Sequence, residues 1–169
     1  MTAVKPEIAK ADALARFADP GPDHVNCAQA VLRFALLVTG IDPDLVVAAR
    51  YFGGGMVGMG EACGAVTGAA LALGLRDYRL PEQVTDRPPL TSDQLQNLLR
   101  DFAAEFGSRR CAELTGHDLS TPDGYKAFRK SEARERCPGY VAWVCDHLAP
   151  LLSERGKPAA VARADGDAS

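Results

Sequence analysis

Between Gly53 and Leu75 the chain reads GGGMVGMGEACGAVTGAALALGL, a glycine-rich loop that gives way to an apolar helix with Cys63 at the junction. Residues four apart share one face of a helix, so Gly60, Gly64 and Gly68 would leave a groove that another backbone or a cofactor can enter. Glycine inside a helix costs up to about 1 kcal/mol relative to alanine, and close approach is what offsets that cost. Two explanations fit these residues: tight packing of helices through small side chains, and a cofactor or redox site.

The rest of the chain reads as helices around this segment. Ile8, Ala11, Leu14, Ala15 and Phe17 give Pro6 to Phe17 one apolar stripe, and Asp19-Pro20-Gly21-Pro22 stops it. A second helix is expected from Asp23 to Thr39, capped by Gly40, with Cys27 in its first turns. Asp42 before Pro43 predicts a short third helix over Asp44 to Phe52. The Cys63 helix then runs to about Gly74, and the proline-bearing stretch 76–90 reads as a surface connection. Thr91 with Gln94 is a capping box, opening an amphipathic helix through Phe106 that Gly107 bends or interrupts before Cys111 and Gly116 ends. Thr121-Pro122 starts a further piece, and Cys137 before Pro138 reads as the N-cap of the last helix. No alternating strands and no repeat are found, so the expected fold is all-α, a compact multi-helix bundle with the glycine-rich loop at the cysteine site. Residues 1–155 form its single domain, and the alanine-, glycine- and aspartate-rich residues 156–169 read as a disordered tail.

A net charge of −3 with dispersed arginines argues against nucleic acid. Charges interrupt every apolar run near the N-terminus, and the stretch from Ala62 to Leu75 is too short and glycine-rich to span a bilayer, so neither a secretory signal nor membrane insertion is expected. The expected location is the cytoplasm. There, five scattered cysteines serve better as ligands, reactive thiols or core filler than as bridges. Gly53, Gly55 and Gly58 spell GxGxxG with Asp77 downstream, but a dinucleotide site needs strands that the chain lacks.

Cys27, Cys63, Cys111 and Cys137 have no CxxC spacing. Their settings say more: helix starts are expected at Cys27, Cys63 and Cys137, Arg109 and Arg110 precede Cys111, and Arg134 and Arg136 precede Cys137. Helix N-termini and positive charge both favour thiolate over thiol. Cys145 falls among Val141, Val144 and Leu148 and reads as core filler. His24, one turn before Cys27, is either a ligand or proton carrier or a solvated polar residue.

These pieces together resemble a known family. NCAQAVL, EACGAVTGA, RRCAEL with TGHDL, and RCPGYVAW, in that order over residues 23–150, look like the redox-active family designated C_GCAxxG_C_C, with its four cysteines. The resemblance implies a small redox protein whose family cysteines correspond to Cys27, Cys63, Cys111 and Cys137. A related domain accompanies certain split-Soret cytochromes, where an iron–sulfur cluster is the expected cofactor. By that analogy the four cysteines here would ligate a cluster, [2Fe–2S] foremost, for one-electron transfer. Gly60, Gly64 and Gly68 would admit backbone amides to its sulfurs, and Arg110 and Arg136 would offset its charge. The alternatives are a metal-free thiol/disulfide oxidoreductase, with Cys63 or Cys137 as the attacking thiolate, and a structural zinc or helical interaction module. The partner in the redox readings is an unidentified redox protein, and a homodimer stays open.

Overall fold

The computed structural model describes residues 2–78 and 88–153. Among them are α1 (Pro6–Ala18), α2 (Cys27–Thr39), a 3-10 helix (Pro43–Phe52), α3 (Gly53–Met56), α4 (Gly64–Tyr78), α5 (Pro88–Phe106), α6 (Cys111–Thr115), α7 (Pro122–Arg129) and α8 (Glu132–Ser153). No strand occurs among the described residues, only an isolated antiparallel bridge between Ala62 and Arg110. The all-α expectation is met.

Helix α2 lies at the centre, packed on α1, α4, α8 and the 3-10 helix. Its buried Ala28, Val31, Leu32, Ala35 and Leu36 meet Val66, Ala69 and Leu73 of α4 and Val141, Val144 and Leu148 of α8 in the main core. A β-carbon on Gly68 would lie 2.6 Å from the Ala28 carbonyl oxygen and 2.9 Å from the Val31 Cβ, so Gly68 is what lets α2 and α4 approach. A smaller apolar cluster of Cys111, Leu119, Phe128 and Ala133 lies apart from this core, with Cys137 packed against both.

Several elements differ from the sequence-based expectation. Helix α2 starts at Cys27 rather than Asp23, because Asn26 caps it there. The segment after Asp42 is a 3-10 helix rather than an α-helix, and at its end the Asn26 amide donates to the carbonyls of Ala49 and Arg50, at 3.4 and 2.9 Å. Gly60 lies outside α4, in the loop with φ +74°, so only Gly64 and Gly68 share that helix's face. Helix α5 starts at Pro88, a residue suited to a first turn, so the Thr91 box does not set its start. Cys137 is not an N-cap: α8 begins at Glu132 and carries Pro138 in its second turn, where the ring forgoes one backbone bond. Residues 79–87 of the expected surface connection and the expected tail, 156–169, fall outside the described residues.

Candidate functional site: a four-cysteine cavity

Three of the cysteines sit where a helix begins. Asn26 caps α2, its side chain accepting from the Ala28 and Gln29 amides at 3.0 Å while Gln29 reaches back to the Asn26 N–H at 3.1 Å. That reciprocal box starts the helix at Cys27. Cys63 immediately precedes α4, and its carbonyl accepts from the amides of Val66 and Thr67, each at 3.1 Å. Cys111 is the first residue of α6. Cys137 instead reaches the site from within α8, its thiol 3.7 Å from the Ala133 carbonyl.

The glycine loop brings these starts together. Gly54 and Gly55 are left-handed, and so are Met56 (φ 62°) and Val57 (φ 48°), conformations that cost non-glycine residues roughly 1–2 kcal/mol each. Bonds from Val57 N–H to the Tyr51 carbonyl (3.0 Å) and from Glu61 N–H to the Gly55 carbonyl (3.0 Å) hold the turn closed. The loop then pairs with the stretch before α6: Cys63 N–H donates to the Arg109 carbonyl at 2.8 Å, Cys111 N–H to the Glu61 carbonyl at 2.7 Å, and Ala112 N–H to the Gly60 carbonyl at 3.0 Å. This short ladder sets Cys63 beside Cys111.

All four family cysteines line one cavity of about 140 Å³. Leu114, Leu119 and Phe128 form apolar wall, and Asn26, Thr115, Arg134 and Tyr140 supply polar groups. The exposed His24 and Tyr125 are also part of its lining. Gly64 closes one side: a β-carbon there would lie 2.3 Å from the Cys27 sulfur and 3.0 Å from the Ala28 nitrogen. All five cysteines are free thiols, and no three His, Cys, Asp or Glu side chains among the described residues converge to hold a metal ion. The sulfurs share a chamber without closing on one point.

Burial dominates the electrostatics. It pushes the Cys27 thiol up, while the backbone amides of Gly54, Ala28, Cys27 and Gly64 pull the other way by favouring negative charge on the sulfur. Cys63 is raised well above its usual range by burial and by Cys27, with Cys111 and Cys137 adding to the effect. Burial and Cys27 push Cys111 up to about 12, and the same two causes push Cys137 up to about 11 against the opposing charges of Arg134 and Arg136. Backbone amides at Cys27 and Cys63 and the arginines near Cys137 do favour thiolate, whereas Arg109 and Arg110 do not act on Cys111, and burial outweighs every one of these effects.

The remaining expected site residues divide. Gly64 touches the site, Gly68 serves helix packing, and Gly60 turns the loop and backs onto Ala112. Arg110 points outward, its side chain 58% exposed and loosely paired with Glu61 and Glu113 at 3.9 and 3.8 Å. Arg136 ties α8 to α6 through the Leu114 carbonyl at 3.2 Å. It is Arg134 that lines the cavity, its guanidinium 5.0 Å from the centre of the Phe17 ring. His24 stacks on that ring too, with centroids 6.2 Å apart, and its Nδ1 is 3.1 Å from the Asp19 carbonyl oxygen. Met56 and Met59 are exposed, and Cys145 is wholly buried in the main core, away from the cavity.

Sequence reasoning missed Asn26 and Tyr140. The Asn-x-x-Gln pattern at 26–29 is a capping-box signal, and Tyr140 stands three residues after Cys137, a spacing that shares a helix face.

Comparison with curated proteins and with solved structures finds no match. A family model described as "Putative redox-active protein (C_GCAxxG_C_C)" matches residues 25–151, which takes in all four cavity cysteines. With most of its length covered, the chain belongs to the C_GCAxxG_C_C family of redox-active proteins.

Proposed function

We propose that Cys27, Cys63, Cys111 and Cys137 hold an iron–sulfur cluster, [2Fe–2S] in its simplest form, and that the protein passes single electrons to and from a redox partner protein. The observation that carries this reading is the meeting of four thiols from four separate segments in one largely apolar cavity, with backbone amides turned toward a sulfur. The donor set fits the group. Four thiolates are the usual ligands of such a cluster, and a two-iron cluster asks for only two thiolates on each iron, where a zinc ion would draw all its ligands round one point. When bound, the cluster supplies reversible one-electron chemistry.

The chain's own residues would do the rest. The amides around Cys27 would stabilise negative charge on its sulfur, and Arg134 and Arg136 would offset charge near Cys137. Leu114, Leu119 and Phe128 would keep water from the sulfurs. Gly64 would leave the room that a β-carbon would take from the Cys27 sulfur. The metal-free oxidoreductase fits less well, because an attacking cysteine needs a substantial thiolate fraction and burial works against it at all four positions. A reducing compartment, the cytoplasm, suits thiols of this kind. No helix among the described residues is long and apolar enough to cross a membrane.

Protein purified without oxygen is expected to be brown and to contain iron and acid-labile sulfide in equal amounts. Colourless, metal-free protein that loses free thiols in pairs on mild oxidation would replace this reading with disulfide exchange. Zinc without a redox response would replace it with a structural site.

A further inference from the structure

One tyrosine of the cavity lining stands beside several of its thiols. Tyr140 is 7% exposed and lines the cavity, and its hydroxyl has no hydrogen-bond partner among the described residues. The ring has little freedom to seek a partner elsewhere. Phe106 meets it edge-on with centroids 4.8 Å apart, and Phe102 does so at 5.9 Å. Tyr140 is also three residues beyond Cys137 on α8, so the two side chains leave the helix on one face. The thiols of Cys137, Cys63 and Cys111 all lie within electrostatic range of its hydroxyl.

We infer that Tyr140 donates a hydrogen bond to a sulfur of the four-cysteine group and so raises its reduction potential. The inference rests on the cluster reading above. Reduction adds negative charge that spreads onto the sulfurs, so a hydrogen bond aimed at sulfur favours the reduced state over the oxidised one. Tyr140 is then a positioning residue that tunes the site and ligates nothing.

Tyr140→Phe keeps the ring and removes only the hydroxyl. Wild type and variant are loaded with iron and sulfide under anaerobic conditions, their iron and sulfide contents are measured, and their potentials are determined by spectroelectrochemical titration. The expected result is equal loading and a lower potential in the variant, by roughly a tenfold change in the reduction equilibrium, or about 59 mV for one electron. In the reduced wild type, pulsed EPR before and shortly after transfer to deuterated buffer is expected to show a coupled proton that exchanges faster than buried amides, and the variant is expected to lack it. Equal loading with equal potentials overturns the role of Tyr140 while leaving the cluster in place. Failure of the wild type to take up iron and sulfide overturns both. Should the variant not fold, the wild-type spectra still decide: a fast-exchanging coupled proton supports the hydroxyl, and its absence overturns it.

Discussion

Helix α8 carries two cysteines about two turns apart, Cys137 and Cys145, in contrasting surroundings. Cys145 is wholly buried among the aliphatic side chains of the main core, and burial pushes its thiol up to about 12. Cys137 is half-buried, lies between the main core and the smaller cluster, and faces a cavity that three other thiols share. Burial raises both thiols. Cations oppose the rise at both, Arg134 and Arg136 at Cys137 and Lys10 at Cys145, but only the cavity that Cys137 faces contains amides placed for a charged sulfur. Desolvation alone therefore does not mark a functional cysteine; what distinguishes the site is four thiols sharing one cavity, with backbone amides and arginines opposing the cost of charge on sulfur there.

The contrast breaks most visibly at the ligands. Replacing Cys27, Cys63, Cys111 or Cys137 singly by serine is expected to abolish or nearly abolish iron and sulfide loading with helical content retained, whereas Cys145→Ala is expected to load fully and lose only about 1 kcal/mol of stability. Iron and sulfide assays with circular dichroism check both halves.

Gly64 and Gly68 sharpen it next. A β-carbon on either is blocked, by the Cys27 sulfur at 2.3 Å in one case and the Ala28 carbonyl at 2.6 Å in the other. Each glycine-to-alanine change is expected to cost roughly 1–3 kcal/mol in urea titrations. Only Gly64→Ala is expected to reduce loading as well.

Alkaline stability probes the core cysteine. The Cys145 thiol rises from 9.0 to about 12 on burial, with Asp146 adding to the rise and Lys10 opposing it. Below 9.0 it is protonated in folded and unfolded chains alike, and its contribution is whole. Above that the unfolded chain ionises first, so stability falls by up to about 1.4 kcal/mol per pH unit until the folded thiol also ionises. Cys111 and Cys137, raised to about 12 and about 11, add to the loss in metal-free protein. Urea midpoints on either side of pH 9 should show the decline, and Cys145→Ala should lessen it.

The smallest expected effect lies away from both regions. Gly74 is exposed on α4, and a β-carbon there would meet nothing within 4 Å. Gly74→Ala is expected to stabilise the protein by about 0.5–1 kcal/mol in the same titrations, with loading unchanged.

Much of this architecture could be read in advance because it is local. The apolar stripes of α1 and α2, the Gly40 cap and the start of α7 at Thr121-Pro122 each depend on a few neighbouring residues. The start of α8 could not be read, since Pro138 looks like a first-turn proline until Ala133 and Cys137, packed in the smaller cluster, and Arg136, bonded to the Leu114 carbonyl, extend the helix upstream of it. The 3-10 geometry was hidden because Asp42 and Pro43 open an α-helix and a 3-10 helix alike. At the site, chemistry was legible and geometry was not. The four thiols and their local settings stand in the sequence, but the ladder that sets Cys63 beside Cys111 joins distant segments through backbone groups, which leave no trace in side-chain pattern.

The most direct test is X-ray absorption at the iron K-edge on the anaerobically loaded protein. Our account predicts iron surrounded by sulfur alone, with a short iron–iron vector that disappears in the Cys63→Ser variant. Iron bound mainly through oxygen or nitrogen, or a spectrum indifferent to that substitution, would contradict it.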